Sequence, residues 1–187
     1  FEQCCDYYMG VKPLVVGSGI KIGLNVKYDN PREVGADRIV NSVAAYYTYG
    51  GPCITIDCGT ATTFNVISEK GEFLGGAIGH GLKSASDALS KSAAKLPKIE
   101  LCMPRRVVCR TTITNMQAGL LQGYIGMAER IVRLMKEETG YVDAKVIATG
   151  GLAEIIKRYS DVIDVLDRRL TLRGLNIIYG FNKEKTT

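Results

Sequence analysis

The chain has 187 residues, of which 46% are apolar, and a formal net charge of +5. This length and composition exclude a disordered tail and allow one large domain, or one domain with part of a second. The positive charge favours anionic ligands, but the sequence has no long basic run and no interleaving of basic with aromatic residues, so we expect no nucleic-acid partner.

The first part of the chain predicts three short elements before a helix. Residues 1–10 indicate the end of a helix whose aromatic and cysteine side chains pack inward, and residues 11–16 indicate a strand. Residues 20–28 predict a second extended segment that ends at Tyr28, which is either a core or rim tyrosine or an aromatic wall for a small ligand. From about Ala36, apolar residues recur at helical spacing until a pair of glycines ends the helix.

Asp37 and Arg38 fall in the first turn of this predicted helix. A carboxylate at that position interacts favourably with the helix dipole, and the free backbone N–H groups there face any anion. The pair is therefore either a surface cap with a solvated arginine or part of a binding site.

A β-branched run at residues 53–56 ends at Asp57, turns through Gly59 and several hydroxyls, and resumes as an alternating strand. Such a turn suits phosphate, because Gly59 lets the backbone approach an anion and Thr60 and the threonines after it could donate to its oxygens. Asp57 could hold a cation at the same place. A tight hairpin with satisfied hydroxyls is the alternative interpretation.

Two strands, residues 63–68 and 72–78, are joined by Glu-Lys-Gly, which indicates an antiparallel hairpin. A glycine-rich run at 75–81 implies that the backbone turns sharply or is approached closely, either by a ligand or by another subunit. His80 is the only histidine and has no ligand-type residue at suitable spacing, so we interpret it as a loop histidine rather than a metal ligand or base.

Residues 82–96 predict a helix, and residues 105–110 form a basic patch that is either a solvated edge strand or a rim that draws in an anionic substrate. A long helix is predicted from 112 to about 138. Glycines at 119, 123 and 126 leave a smooth side on it, against which another backbone could pack. Its predicted apolar stripe consists of Ile113, Met116, Leu120, Tyr124, Met127, Ile131 and Met135.

Residues 144–149 predict a buried strand that leads directly into Gly150 and Gly151 and then into a helix to about Tyr159. The paired glycines would let an adenine or ribose lie against the backbone, so this turn is a candidate nucleotide site. A plain strand-to-helix turn is the alternative.

The chain then predicts a short strand at 162–166, a helix at 170–181, and a polar tail at 182–187 that is expected to fray. No internal repeat, low-complexity segment or flexible linker is visible in the sequence.

Six cysteines stand at positions 4, 5, 53, 58, 102 and 109. Their spacing matches neither paired metal sites nor a disulfide-rich scaffold, so we expect reduced, mostly buried thiols in a cytoplasmic protein. No apolar run is long enough to cross a bilayer and the first residues lack a signal-peptide pattern, so we expect no membrane partner.

Taken together, residues 57–63 (Asp-Cys-Gly-Thr-Ala-Thr-Thr) and 146–151 (Val-Ile-Ala-Thr-Gly-Gly) resemble the second phosphate loop and the adenosine loop of the actin/hexokinase-like ATPases. Within that superfamily, residues 14–24, 28–38 and 75–78 resemble sequence blocks of the type III pantothenate kinases. The resemblance implies an α/β protein of the actin-like ATPase (ribonuclease H-like) fold, with a mixed sheet flanked by helices.

The same resemblance implies ATP-dependent phosphorylation of pantothenate to 4'-phosphopantothenate, an early step of coenzyme A biosynthesis. It implies ATP with Mg²⁺, a monovalent cation (K⁺ or NH₄⁺), and a homodimer with substrate at the subunit interface. Asp37 stands at the position of the catalytic base, and Asp57 at the monovalent-cation site. Pantothenate-binding positions are Tyr28, Gly35, Ala36, Asp37, Arg38 and Thr112, and ATP-binding positions are Gly59, Thr60, Gly150 and Gly151.

The sequence also departs from the family pattern. The family begins with a strand and an Asp-x-Gly-Asn-Thr loop, so about the first 70 residues of the pattern have no counterpart here. We therefore expect residues 1–51 to be the end of a truncated first domain and 52–187 to be the second, and we expect this chain alone not to phosphorylate pantothenate. Asn65 replaces an expected aspartate. The alternative function is a non-catalytic regulatory or binding relative.

Overall fold

A computed structural model describes residues 2–183 and shows a six-stranded mixed sheet with helices on both faces. The predicted α/β class with a mixed, helix-flanked sheet is confirmed. The strands are β1 (Asn25–Val26), β2 (Cys53–Cys58), β3 (Ala61–Ile67), β4 (Glu72–His80), β5 (Lys145–Thr149) and β6 (Val165–Leu166). The helices are α1 (Glu2–Met9), α2 (Ala36–Tyr49), α3 (Leu82–Ser92), α4 (Thr112–Thr139), α5 (Ala153–Tyr159) and α6 (Leu170–Asn182).

The strand order across the sheet is β1-β4-β3-β2-β5-β6. The predicted β3–β4 hairpin is antiparallel, and β2 also pairs antiparallel with β3. On its other side β2 runs parallel to β5, with Asp57 opposite Thr149. Because the carboxyl ends of parallel strands meet at one edge, the turns that follow Asp57 and Thr149 come together there.

Each face of the sheet carries its own hydrophobic core. Successive side chains of β2 point to opposite faces, so Ile54 and Ile56 pack with α3, α4 and α5, whereas Cys53 packs with α2 and α6. Thr55 and Asp57 therefore lie on the face that α2 covers.

The N-terminal segment differs most from the prediction. α1 has no buried residue, and Tyr7 and Tyr8 are 82% and 79% exposed, so the predicted inward packing of this helix is wrong. Residues 11–16 form no strand, and of residues 20–28 only β1 pairs with the sheet. Within residues 2–183 no neighbouring strand accepts the backbone bonds of residues 11–16, which explains why their apolar composition is not enough to make a strand.

Several smaller corrections concern the middle of the chain. α3 ends at Ser92 rather than at 96, residues 105–110 are irregular rather than a strand, and His80 is the last residue of β4. Only two of the six thiols are buried, so the expectation of mostly buried cysteines is wrong, although all six are free. Within the part of the chain that the structure describes, no helix is long and apolar enough to cross a membrane.

The long helix α4 is capped as its sequence indicates, since the Thr111 side chain accepts a hydrogen bond from the N–H of Thr114 and Gly140 ends it in the left-handed conformation. Its predicted stripe is only partly correct, because Ile113 is 49% exposed. The side chains that are buried are Met116, Ala118, Leu121, Tyr124, Ile125, Ala128, Val132 and Met135. The three helix glycines face open space among the described residues, so no backbone of this part of the chain packs there.

The last helix extends to Asn182, close to the predicted end. Of the tail that was expected to fray, residues 184–187 lie outside the described residues.

The contact between α2 and α6 allows a direct test of the packing. A Cβ added at Gly174 would lie 2.7 Å from Cγ1 of Val40 and still closer to its backbone, whereas one added at Gly180 of the same helix would meet no described atom within 4 Å. We expect Gly174→Ala to lower the free energy of unfolding by about 1–3 kcal/mol through overpacking. Gly180→Ala is the matched control and should be neutral or stabilising by up to ~1 kcal/mol. Urea unfolding measures both, and equal effects would contradict the packing described here.

Candidate functional site

The turn between β2 and β3 is supported from beneath by the start of α3. Ser84 donates a hydrogen bond to the carbonyl oxygen of Thr60 at 2.8 Å, and Gly81 lies directly against the backbone of Gly59 and Thr60. The N–H of Gly59 is already used, since it donates to the carbonyl of Ala61 at 3.1 Å. Thr60 remains exposed, so its side chain is the part of the turn available to a ligand.

The glycine turn after β5 touches the same place. Gly150 has a φ of +95°, and a Cβ there would lie 2.6 Å from the carbonyl oxygen of Cys58. Only glycine fits this conformation and this approach. Gly151 is exposed beside it. The structure therefore brings the predicted residues Gly59, Thr60, Gly150 and Gly151 to one edge of the sheet.

Asp57 is half-buried at that edge, beneath α2. Its Oδ2 accepts a hydrogen bond from Nδ2 of Asn41 at 2.8 Å. Burial raises the pKa of Asp57, the nearby charge of Asp37 raises it further, and the hydrogen bond from Asn41 opposes both. Asp37 is exposed in the first turn of α2, so the two carboxylates lie within electrostatic reach of each other.

Arg38 points the other way, into the interior, and is only 5% exposed. Its Nε donates to Oδ1 of Asn65 at 2.6 Å, and its guanidinium lies 5.7 Å from the ring centre of Tyr28 and 5.4 Å from that of Phe73. No carboxylate forms an ion pair with it within residues 2–183. The interpretation of Arg38 as a solvated arginine is therefore wrong.

Three buried polar atoms under α2 have no hydrogen-bond partner among the described residues: Nη2 of Arg38, Oγ of Ser42 and Oγ1 of Thr63. Buried polar groups in folded proteins are nearly always bonded, so unused donors on one face mark a place where a ligand or water completes the network.

The predicted substrate residues gather at the start of α2, with one exception. Gly35 is the N-cap of α2, where an added Cβ would contact the carboxylate of Asp37, and Ala36 follows it. Tyr28 lies beside Arg38. Thr112 is instead the exposed first residue of α4, which packs on the opposite face of the sheet. Within one chain, over the described residues, Thr112 does not join the other predicted residues.

The sequence interpretation missed two residues of this site. Asn41 bonds to Asp57, and Thr171 of α6 bonds to Asn41. Asn41 gave a signal, since a polar residue stands there within the apolar run of α2. Thr171 gave none, because its position at the site depends on how α6 packs.

Comparison with known proteins adds the family. The family model of type III pantothenate kinase matches residues 1–134, more than half of the chain. This chain belongs to the type III pantothenate kinase family. The match covers the α2 site, the turn after Asp57 and Thr112, and it ends before Gly150.

One solved structure, described as a conserved Baf family transcriptional activator from Campylobacter jejuni, is similar to this pantothenate kinase family member with a TM-score of 0.61 and 22% identity. The similarity covers 86% of this chain and 69% of that one. At this identity the likeness concerns the fold alone.

Asn65, where the family pattern leads us to expect aspartate, gives a stability test. Its Nδ2 donates to Oγ1 of Thr55 at 3.0 Å while its oxygen accepts from Arg38. In Asn65→Asp the buried guanidinium gains a counter-charge, and we expect the free energy of unfolding to rise by about 1 kcal/mol, since charge-assisted hydrogen bonds are the stronger ones. Asn65→Leu, which removes the acceptor, should cost about 3–5 kcal/mol. If both variants lost stability in urea unfolding, Arg38 would not need a counter-charge.

The raised pKa of Asp57 predicts a pH-dependent cost. A carboxyl whose folded pKa lies above its ordinary 3.8 holds its proton more tightly when folded, so stability falls as the pH rises through the window above 3.8. Asp57→Asn removes that cost, and we expect its melting temperature to exceed that of the wild type at neutral pH.

The gain should shrink as the pH falls toward 3.8, where Asp57 of the wild type becomes protonated. Asp87→Asn, at an exposed position on α3, is the control and should shift the melting temperature little at any pH. A gain that did not change with pH would mean that packing, not charge, explains it.

Proposed function

We propose that this chain carries the substrate and nucleotide sites of an ATP-dependent kinase that phosphorylates pantothenate to 4'-phosphopantothenate, early in coenzyme A biosynthesis. Family membership supports the reaction class. The observation that carries the proposal is the placement of Asp37 at the start of α2, close enough to Asp57 to raise its pKa, beside the meeting point of the Thr60 and Gly150 turns.

In this proposal Asp37 accepts the proton of the primary hydroxyl of pantothenate while that oxygen attacks the γ-phosphorus of ATP. The bond between the γ-phosphorus and the oxygen that bridges it to the β-phosphorus breaks, and ADP leaves. The exposure of Asp37 leaves its carboxylate open to a substrate, and its place at a helix start fixes its direction. Tyr28, Gly35 and Ala36 would hold pantothenate against it, and the buried Arg38, whose guanidinium lies against the ring of Tyr28, would contribute its positive charge from beneath. Phosphoryl transfer depends mainly on such positioning and on charge stabilisation, so no covalent intermediate is required.

Gly59 and Thr60 would contact the phosphates, and Gly150 and Gly151 would leave room for the adenosine. This assignment agrees with the backbone of Gly150 packed on Cys58, which sets the two turns side by side. The same arrangement is the reason to propose the actin-like ATPase (ribonuclease H-like) fold. The nucleotide would then lie between the two proposed domains, of which the first includes residues 1–51 and the second residues 52–187.

The residues at Asp57 fit a hard cation. Asp37 and Asp57 are two carboxylates without an ion-pair partner among residues 2–183, and carboxylate and hydroxyl oxygens are the ligands that Mg²⁺ and alkali cations prefer. No group of three potential metal ligands of the His, Cys, Asp or Glu type exists in the described part. When bound, K⁺ or NH₄⁺ at Asp57 and Mg²⁺ with ATP would offset the charge of the phosphates.

Thr112 supports a homodimer within this proposal. It lies on the face of the sheet opposite α2, so a second copy of the chain is the simplest way to bring it to the pantothenate site. The open glycine side of α4 at residues 119–126 leaves room for such a contact.

Asp37→Asn in the full-length protein that contains these residues tests the catalytic proposal. We expect turnover to fall about 10²–10⁴-fold, the usual contribution of a general base, while pantothenate still binds. A coupled ADP-release assay with pantothenate, ATP, magnesium and potassium measures turnover, and calorimetry measures binding. Asp87→Asn is the control and should keep wild-type turnover.

Two results would redirect the proposal. Near-wild-type turnover of Asp37→Asn would remove Asp37 from the role of base. A wild-type protein that binds pantothenate without releasing ADP would instead support the second candidate, a non-catalytic binding relative, which the replacement of the expected aspartate by Asn65 favours.

A further inference from the structure

Three elements that are distant in sequence are joined at Asp57 by two short hydrogen bonds. Oγ1 of Thr171, in the first turn of α6, donates to Oδ1 of Asn41 at 2.7 Å. Nδ2 of Asn41 then donates to Oδ2 of Asp57 at 2.8 Å. The chain of bonds runs from α6 through α2 to the end of β2.

The chemistry of the three groups fixes the direction of both bonds. An ionised carboxylate only accepts hydrogen bonds, so Asn41 must present its NH₂ group to Asp57. Its oxygen then faces Thr171, whose hydroxyl must donate. Because Asn41 is only 1% exposed, its oxygen needs a donor from the protein, and the Thr171 hydroxyl supplies it once the Asp57 carboxylate has fixed the orientation of the amide.

The orientation matters for the second oxygen of Asp57. Asn41 occupies Oδ2, whereas Oδ1 lies on the side of Gly59, 3.8 Å from the position of an added Cβ there. The hydrogen bond from Asn41 thus leaves Oδ1 of Asp57 facing the loop that follows β2.

Packing of α2 does not by itself require this amide. Its neighbours Ile39, Val40, Val43 and Ala44 are buried and apolar, and α6 already packs closely on Val40 through Gly174. An amide buried without partners is strongly destabilising, so Asn41 is tolerated because Asp57 and Thr171 both form hydrogen bonds with it. An apolar side chain would serve the helix contact without that requirement.

We propose that Asn41 and Thr171 are positioning residues that hold the Asp57 carboxylate in the orientation that binds the monovalent cation. This inference rests on the proposed role of Asp57. Outer-shell partners of a cation ligand fix its direction, and their loss commonly lowers cation affinity 10–100-fold. Neither residue touches the cation or the substrate in this arrangement.

The test compares Thr171→Val, which removes the hydroxyl at nearly constant volume, with Thr171→Ser, which keeps it. Each is made in the full-length protein, and the melting temperature is titrated with potassium and then ammonium chloride against choline chloride as the ionic-strength control. We expect Thr171→Val to raise the concentration for half-maximal stabilisation about 10-fold or more. Thr171→Ser should stay within about 2-fold of the wild type, a rescue that a purely steric role would not produce.

Thr48→Val, at an exposed position of α2, is the matched control for loss of a hydroxyl and should leave the titration unchanged. If Thr171→Val does not fold, Thr171→Ala removes the same hydroxyl without adding bulk and is held to the same expectation. The inference is overturned if a Thr171 variant that lacks the hydroxyl still folds and binds potassium as tightly as the wild type does.

The two proposals fail in different patterns. If potassium raises the melting temperature of neither the wild type nor Asp57→Asn, the cation role of Asp57 is overturned, and the positioning role falls with it. If potassium stabilises the wild type and Thr171→Val equally but does not stabilise Asp57→Asn, only the positioning role is overturned.

Discussion

The approach of Gly150 to the backbone of Cys58 is the contact on which the candidate site depends. It requires β2 and β5 to be parallel neighbours and requires a residue without a side chain directly after β5. Both conditions place the two turns at one edge of the sheet, where the exposed Thr60 and Gly151 can face a common ligand. The strands that lead into these turns are mostly buried, so the exposed turn residues extend from a packed sheet.

The face under α2 is organised by a different constraint, the cost of burying charge. Asp57 is half-buried and Arg38 is almost fully buried, and each forms a hydrogen bond with a neutral amide, Asn41 in one case and Asn65 in the other. Amides provide hydrogen bonds without neutralising the charge. Neither charge is therefore offset by an ion pair within the described residues, which leaves both available for the cation and the anionic ligand of the proposed kinase site.

Sequence patterns correctly predicted the elements whose structure is determined by residues close together in the chain. The β3–β4 hairpin, the start of α2 at Ala36 and the cap of α4 follow from turn chemistry, apolar spacing and a threonine side chain, and the structure agrees with them. The burial of Arg38 was not predictable in this way, because a helix-start arginine is usually solvated and its burial depends on the aromatic pair Tyr28 and Phe73 contributed by other elements. The position of Thr171 beside Asn41 depends on helix packing in the same manner.

Two of the remaining errors share one physical cause, which concerns the partner of a surface rather than the pattern of the sequence. The apolar residues of α1 predicted burial, and the glycines of α4 predicted close approach of a backbone, yet Tyr7 and Tyr8 are exposed and the glycine side of α4 meets no described atom. An apolar or smooth surface encodes the cost of contact with water, and it does not encode which polypeptide covers it. Sequence patterns of this kind therefore indicate an apolar or smooth surface, but they do not indicate which residues, if any, pack on it.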